Sequence, residues 1–229
     1  MSYDKHISLD PRLTLIADMV GSCGCCADIG SDHGRLGAFL LQNHYCERVM
    51  FTDISAPSLD KARKLIALLD LKNRADFRVG DGARALDKKV DVAIIAGMGG
   101  ETIAEIIENA SGHLSGTRLL LQPNVAAPHL RKVLCENRWN ITREALVRDG
   151  RRIYPVIEAC EGQMHLNEMQ LEVGPLLLQD KPPLLRDYAH FRIRVTEKAL
   201  AGARHGADDE SVRLLSHSLD IWKEVEICL

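Results

Sequence analysis

Short apolar runs alternate with stretches of helical period through the first two thirds of the chain, the pattern of a parallel sheet covered on both faces. Strands are predicted at 25–29 (CCADI), 48–53 (RVMFTD), 76–80 (DFRVG), 90–96 (VDVAIIA) and 118–122 (RLLLQ), with helices near 11–20, 34–43, 57–70, 100–110 and 126–137. Residues 140–148 and 152–160 flank Asp149-Gly150, a tight-turn dipeptide, and are predicted to form a hairpin. This is an α/β outline: a mostly parallel seven-stranded sheet ending in an antiparallel hairpin. After residue 160 the pattern changes. Residues 161–183, with Gly174-Pro175 and Pro182-Pro183, are expected to be loop-rich. Two helices are predicted at 184–204 and 209–226, folded back on each other through a turn at Ala207-Asp208-Asp209. Two domains follow, 1–160 and a small helical hairpin over 161–229.

Composition narrows the partners. The 229 residues are 46% hydrophobic and 27% charged, with a formal net charge of −3, which argues against a uniformly basic nucleic-acid binder. Aromatic residues make up only 4%, too few for a surface that stacks many bases. The opening MSYDKHISLD is charged from its fourth residue, and no run approaches the ~20 apolar residues of a membrane span, so a cytoplasmic protein without membrane contact is expected. Cys23, Cys25 and Cys26 are too crowded for an extracellular disulfide framework, and no second Cys/His pair follows at zinc spacing. The cluster can be read as a metal or redox site, but residues 25–29 read more readily as a buried strand filled with small residues, and no metal site is expected.

The chemistry gathers at strand ends, where open α/β sheets bind ligands. The first strand runs into Asp28-Ile29-Gly30-Ser31-Asp32-His33-Gly34, without the Gly-x-Gly-x-x-Gly spacing that a pyrophosphate needs. A carboxylate beside a glycine turn suits a cationic ligand such as S-adenosylmethionine better. Asp53 ends the second strand, where a carboxylate can accept from both ribose hydroxyls. Asp81-Gly82 follows the third, where an acid can take the adenine amino group. Ala96-Gly97-Met98-Gly99-Gly100 follows the fourth, where small residues admit two ligands to the backbone and Met98 offers a soft packing surface.

The segments ADIGSDHG (27–34), RVGDGARAL (78–86), IIAGMGGETIAEII (94–107) and LLLQPN (119–124) closely resemble the TrmK-type tRNA (adenine-22-N1)-methyltransferases. LDPRLTLIA (9–17) and WNITREALVRDGRRIYPVIEA (139–159) share that resemblance. It implies a Rossmann-like class I methyltransferase fold, S-adenosylmethionine as cofactor, and methyl transfer to N1 of adenine 22 in bacterial tRNA. The implied cofactor site comprises Arg12, Asp28, Gly30, Ser31, Asp32, Asp53, Ile54, Asp81, Gly82, Ala96, Gly97 and Met98. Asn124, His33, Gly99 and Gly100 are the implied catalytic residues, Asn124 lying where an amide can bond the edge of a flipped base. One departure is clear: where the family has a tyrosine near the target base, this chain has Arg35.

The residues agree with that chemistry. Gly97-Met98-Gly99-Gly100 replaces the Asn/Asp-Pro-Pro-aromatic motif common in exocyclic-amine methylation, and no cysteine is placed for attack on cytosine. Adenine N1 carries an in-plane lone pair and needs no deprotonation, so no single general base is expected to dominate. The net charge conceals two basic segments. Residues 131–152 and 181–204 each carry a net charge of +4, and Arg35, Arg131, Arg186, Arg194 and Lys198 are candidate tRNA contacts. The rival readings are a methyltransferase acting on a small molecule or protein, and a non-catalytic Rossmann binding protein. A monomer or weak dimer is expected.

Overall fold

The computed structural model describes residues 6–110, 112–206 and 209–229. β1 (Cys23–Ile29), β2 (Cys46–Asp53), β3 (Ala75–Val79), β4 (Val92–Met98) and β5 (Arg118–Pro123) run parallel. β6 (Trp139–Asp149) and β7 (Arg152–Glu161) complete a seven-stranded sheet ordered β3-β2-β1-β4-β5-β7-β6, with β7 antiparallel to both neighbours. The strand order reverses between β1 and β4, which opens a crevice at their carboxyl ends.

Apolar strand positions point alternately to the two faces and are buried on both. Helices α1 (Pro11–Val20), α2 (Arg35–Gln42) and α3 (Ala56–Leu68) cover one face, packing Ile16, Leu40 and Leu59 with Val49, Phe51 and Ile94. Helices α4 (Gly100–Glu108) and α5 (Ala127–Glu136) cover the other, packing Ile103, Ile107 and Leu130 with Ile95 and Leu121. Two starts are fixed locally: Asp10 caps α1 through Leu13 N–H at 2.8 Å, and Ser55 caps α3 through Ser58 N–H at 3.3 Å. Both helices carry proline in their first turn, where a missing N–H costs nothing.

The hairpin reaches past the sheet. Leu121 stands level with Ile157, yet β7 pairs with β6 back to Arg152 opposite Asp149, roughly 17 Å further at ~3.4 Å per residue. Its tip, with exposed Arg151 and Arg152, rises on the side where the parallel strands end.

Beyond β7 the loop-rich expectation is corrected. Residues 168–180 form two short helices, α6 (Glu168–Val173), opened by a capping box of Asn167 and Gln170, and α7 (Pro175–Asp180). Gly174-Pro175 is the joint between them, not a sign of irregular chain. Helices α8 (Leu185–His205) and α9 (Asp209–Ile227) pack on α6, α7 and Ile153 of β7 around Tyr188 and Trp222, whose rings meet edge to face at 5.3 Å. The turn expected at Ala207-Asp208-Asp209 lies outside the described residues at 207–208. None of the described helices is long and apolar enough to cross a membrane.

Candidate active site

Two cavities of about 320 Å³ each lie at the carboxyl ends of β1 to β4. One is lined by Ile29, Gly30, Ile54, Gly82, Met98 and Ile106, with the carboxylates of Asp53, Asp81 and Glu105 and the Arg84 guanidinium also on its walls. The other is lined by Arg12, Asp28, Gly30, Ser31, Asp32, His33, Ala96, Gly97 and Met98. Gly30 and Met98 belong to both, so the two form one bent trough with an apolar arm and a charged arm. Gly30 stands at the bend with φ +72°, and the Met98 methyl lies where a Cβ on Gly30 would stand.

The charged arm rests on β1 and α1. Asp28 is 6% exposed and accepts from Gly37 N–H at 3.2 Å. Burial pushes its carboxyl up to about 6, against the Gly37 hydrogen bond and with a small push from Asp53. Arg12 reaches across from α1, donating from Nη1 to Gln122 Oε1 at 2.6 Å, with Asp10 3.8 Å from its Nη2. Asp32 has φ +43°, the left-handed region in which glycine is usual. Its N–H donates to Asp53 Oδ2 at 3.1 Å, and Asp53 Oδ1 accepts from Ser55 N–H at 2.8 Å. Those bonds aim the Asp53 carboxylate and leave lone pairs free toward the apolar arm. His33 Nδ1 bonds Asp32 Oδ2 at the exposed mouth of the charged arm.

Gln122 is the polar centre of the site, fully buried at the end of β5. Besides Arg12 it takes Gly97 N–H on Oε1 at 3.1 Å, and its Nε2 donates to Pro123 O and Asn124 Oδ1 at 3.0 and 3.2 Å. Asn124 in turn donates from Nδ2 to Gly97 O at 2.7 Å, and its backbone N–H to Met98 O at 2.7 Å. The β4–β5 register breaks here, between Ala96 and Met98, and Gly97 has φ +79°. Gln122 and Asn124 thus hold a bulge that swings Met98 over Gly30. Sequence reading places Asn124 in the site and misses Gln122 as its organiser; a buried amide that only bonds backbone and side chains leaves no periodic signal.

The remaining expected residues divide. Ile54 is 76% exposed on the rim of the apolar arm. Gly99 is half-buried, and a Cβ there would meet Val125 Cγ2 at 3.8 Å and Thr102 Oγ1 at 3.9 Å, ordinary contact distances. Gly100 is buried instead of facing the trough: its N–H donates to Val125 O at 2.9 Å, and a side chain there would strike the Ala126 carbonyl. It lets the loops after β4 and β5 meet. Arg35 is exposed but already donates to Ser8 O at 2.7 Å, tying the segment before α1 to α2. Arg131 must be withdrawn as a tRNA contact. It is fully buried, paired through Nε with Glu144 Oε1 at 2.9 Å, and donates from Nη1 to the carbonyls of Leu171 and Glu172. Arg186, Arg194 and Lys198 are exposed along α8 at multiples of four residues, and so share one side of the helix.

A sequence model of the TrmK family, described as tRNA (adenine(22)-N(1))-methyltransferase, matches residues 26–221. The tRNA (adenine(22)-N(1))-methyltransferase of Bacillus subtilis is 28% identical over 96% of this chain and 98% of its own. Among solved structures, a Streptococcus agalactiae protein of the NADB-Rossmann superfamily superposes with a TM-score of 0.88 at 28% identity, covering 96% of this chain and 98% of that one. A putative tRNA (m1A22) methyltransferase of Streptococcus pneumoniae, in complex with S-adenosyl-L-methionine, gives 0.85 at 27% identity over 96% and 100%.

Proposed function

Since the chain belongs to the tRNA (adenine(22)-N(1))-methyltransferase family, we propose that it methylates N1 of adenine 22 in bacterial tRNA, working in the cytoplasm with S-adenosylmethionine bound along the trough. The observation that carries this is the trough itself, whose two arms match the two halves of that cofactor. The apolar arm offers Ile29, Ile54 and Ile106 to a purine and Asp53 and Asp81 to hydroxyl and amino donors. The charged arm offers Arg12 to a carboxylate and Asp28 to an ammonium group. When bound, the cofactor supplies an electrophilic methyl on a sulfonium cation.

The chain's own residues then need only position and shield. The Gly97 bulge, fixed by Gln122 and Asn124, sets the backbone at the bend where the arms meet. Asn124 keeps one amide N–H and one carbonyl lone pair for the edge of an extruded base. Val125, 66% exposed beside Gly99, offers that base an apolar surface. Adenine N1 attacks with its own lone pair and positive charge moves rather than forms, so orientation and exclusion of water account for much of the rate. His33 is assigned to the rim, not to proton transfer. We divide the chain into a catalytic part over 1–160 and a helical part over 161–229, in which Arg186, Arg194 and Lys198 take tRNA phosphates, joined by Arg151 and Arg152 at the hairpin tip.

Calorimetry with S-adenosylmethionine tests the cofactor site. Micromolar-range binding that Arg12→Ala and Gly30→Ala weaken supports the assignment, and wild-type protein that binds no cofactor overturns it.

A further inference from the structure

The cysteines at the amino-terminal pole of the sheet are not used by any step above. Cys23 opens β1 and Cys46 opens β2, and the two are register partners in the parallel ladder. Registered residues on neighbouring strands put their side chains on the same face, and strands ~4.8 Å apart fall within the ~4.4–6.8 Å Cα separation of a disulfide. Here the two Sγ atoms stand 3.1 Å apart, both as free thiols, so closing to a bonded ~2.05 Å takes about 1 Å of side-chain movement. Cys23 is partly exposed while Cys46 and Cys26 are buried behind it. Among the described residues no group of three or more His, Cys, Asp or Glu side chains is arranged to hold a metal ion.

We propose that Cys23 and Cys46 are a reversible redox pair, closed by a low-molecular-weight disulfide of the glutathione class. Cys23 is the attacking group, because it alone of the two reaches solvent. Hydrogen bonds from the Cys26 and Cys46 thiols also hold its thiol well below the usual range, outweighing burial and the Asp91 carboxylate, whereas Cys46 is pushed up to about 12. The Cys23 thiolate attacks one sulfur of the small disulfide, forming a mixed disulfide and releasing one small thiolate. Cys46 then attacks the Cys23 sulfur from within, and the second small thiolate leaves toward solvent and takes the Cys46 proton. Two protein thiols are oxidised and one small disulfide is reduced to two thiols.

The bond would staple the starts of β1 and β2 across α2. Asp28 and Gly30 lie five and seven residues along β1, roughly 16–23 Å away at ~3.3 Å per residue, so the staple stiffens the sheet without entering the trough. Stability is expected to respond and cofactor affinity is not. Closing the loop from 23 to 46 raises Tm by roughly 5–10 °C.

The test equilibrates the full-length protein with graded ratios of reduced to oxidised glutathione, blocks free thiols with iodoacetamide under denaturing conditions, and maps the peptides by mass spectrometry. Expected is a Cys23–Cys46 linkage carrying no glutathione, reversed by dithiothreitol, with Tm raised and S-adenosylmethionine affinity unchanged. Cys46→Ser should stop at a Cys23–glutathione mixed disulfide, while Cys25→Ser should behave as wild type. Overturning results are full alkylation of Cys23 and Cys46 at every ratio, a linkage through Cys25 or Cys26, or glutathione retained on Cys23 in the wild type.

Discussion

Asp28 accepts a single hydrogen bond in a buried site, too little to replace the water a carboxylate loses, and its pKa rises from 3.8 to about 6. A raised carboxyl pKa means the folded chain holds the proton more tightly than the unfolded one between about pH 4 and 6. The stabilisation this one carboxyl contributes is therefore fully present below that window, is lost as pH rises through it, by about 3 kcal/mol at ~1.4 kcal/mol per unit, and is absent above. Asp28→Asn should abolish that slope and raise Tm at pH 8, as thermal denaturation from pH 3.5 to 8 will read. Cofactor affinity should run the other way: wild-type binding weakens as pH drops below about 6, while the Asn variant binds more weakly at pH 8 and is insensitive to pH. Gly30 gives the steric counterpart. Alanine there meets both a φ of +72° and the Met98 methyl, so Gly30→Ala should cost at least tenfold in S-adenosylmethionine affinity by calorimetry. Asp28 and Gly30 are legible in the sequence because a strand-end acid and a turn glycine leave local marks. Gln122 is not, since the two hydrogen bonds that tie it to Arg12 of α1 and Gly97 of β4 span 110 and 25 residues.

Between elements, the decisive feature is the buried ion pair of Arg131 on α5 with Glu144 on β6, both side chains fully inaccessible. Glu144 Oε2 also accepts from Leu176 N–H at 3.0 Å, and Arg131 Nη1 bonds the carbonyls at the end of α6, so the pair ties α5 and β6 to α6 and α7. Glu172 continues the chain of contacts by accepting from Arg192, Ser218 and Trp222 of α8 and α9. Removing one partner strands a buried charge, so Glu144→Gln should destabilise by roughly 3–5 kcal/mol, whereas the double variant Arg131→Met/Glu144→Leu should recover most of that loss. Equal loss in the single and double variants, by urea denaturation, would assign the effect to packing instead. The double variant should also keep its tRNA affinity, since Arg131 never meets solvent. Counting charge along the sequence makes residues 131–152 a basic surface, but that count cannot tell an arginine facing α6 from one facing water. The same blindness hides α6 and α7: six residues each, broken at Gly174-Pro175, they are too short for a helical period and form because Val173 and Leu177 are buried against α8 and α9.

At the scale of the whole molecule, the proposed function has the exposed arginines of the hairpin tip and the basic side chains of α8 offer a polyanion local positive charge on a net negative chain. Tetrad-spaced Arg186, Arg194 and Lys198 should act through phosphates, so alanine at each lowers tRNA affinity and reduces the slope of log affinity against log salt by about one contact's worth, leaving S-adenosylmethionine binding intact. Loss of cofactor binding in those variants would place them in the fold and not on the tRNA surface. The strands of the sheet and both long helices follow from hydrophobic period, whereas the order of the strands and the bulge at Gly97 do not, the bulge because it depends on β5 amides reaching β4. The most direct test is to incubate the protein with isotopically labelled S-adenosylmethionine and bulk bacterial tRNA, digest, and map the modified nucleoside. Label in N1-methyladenosine at position 22 is the predicted result, and label on another base, at another position, or on protein alone would contradict it.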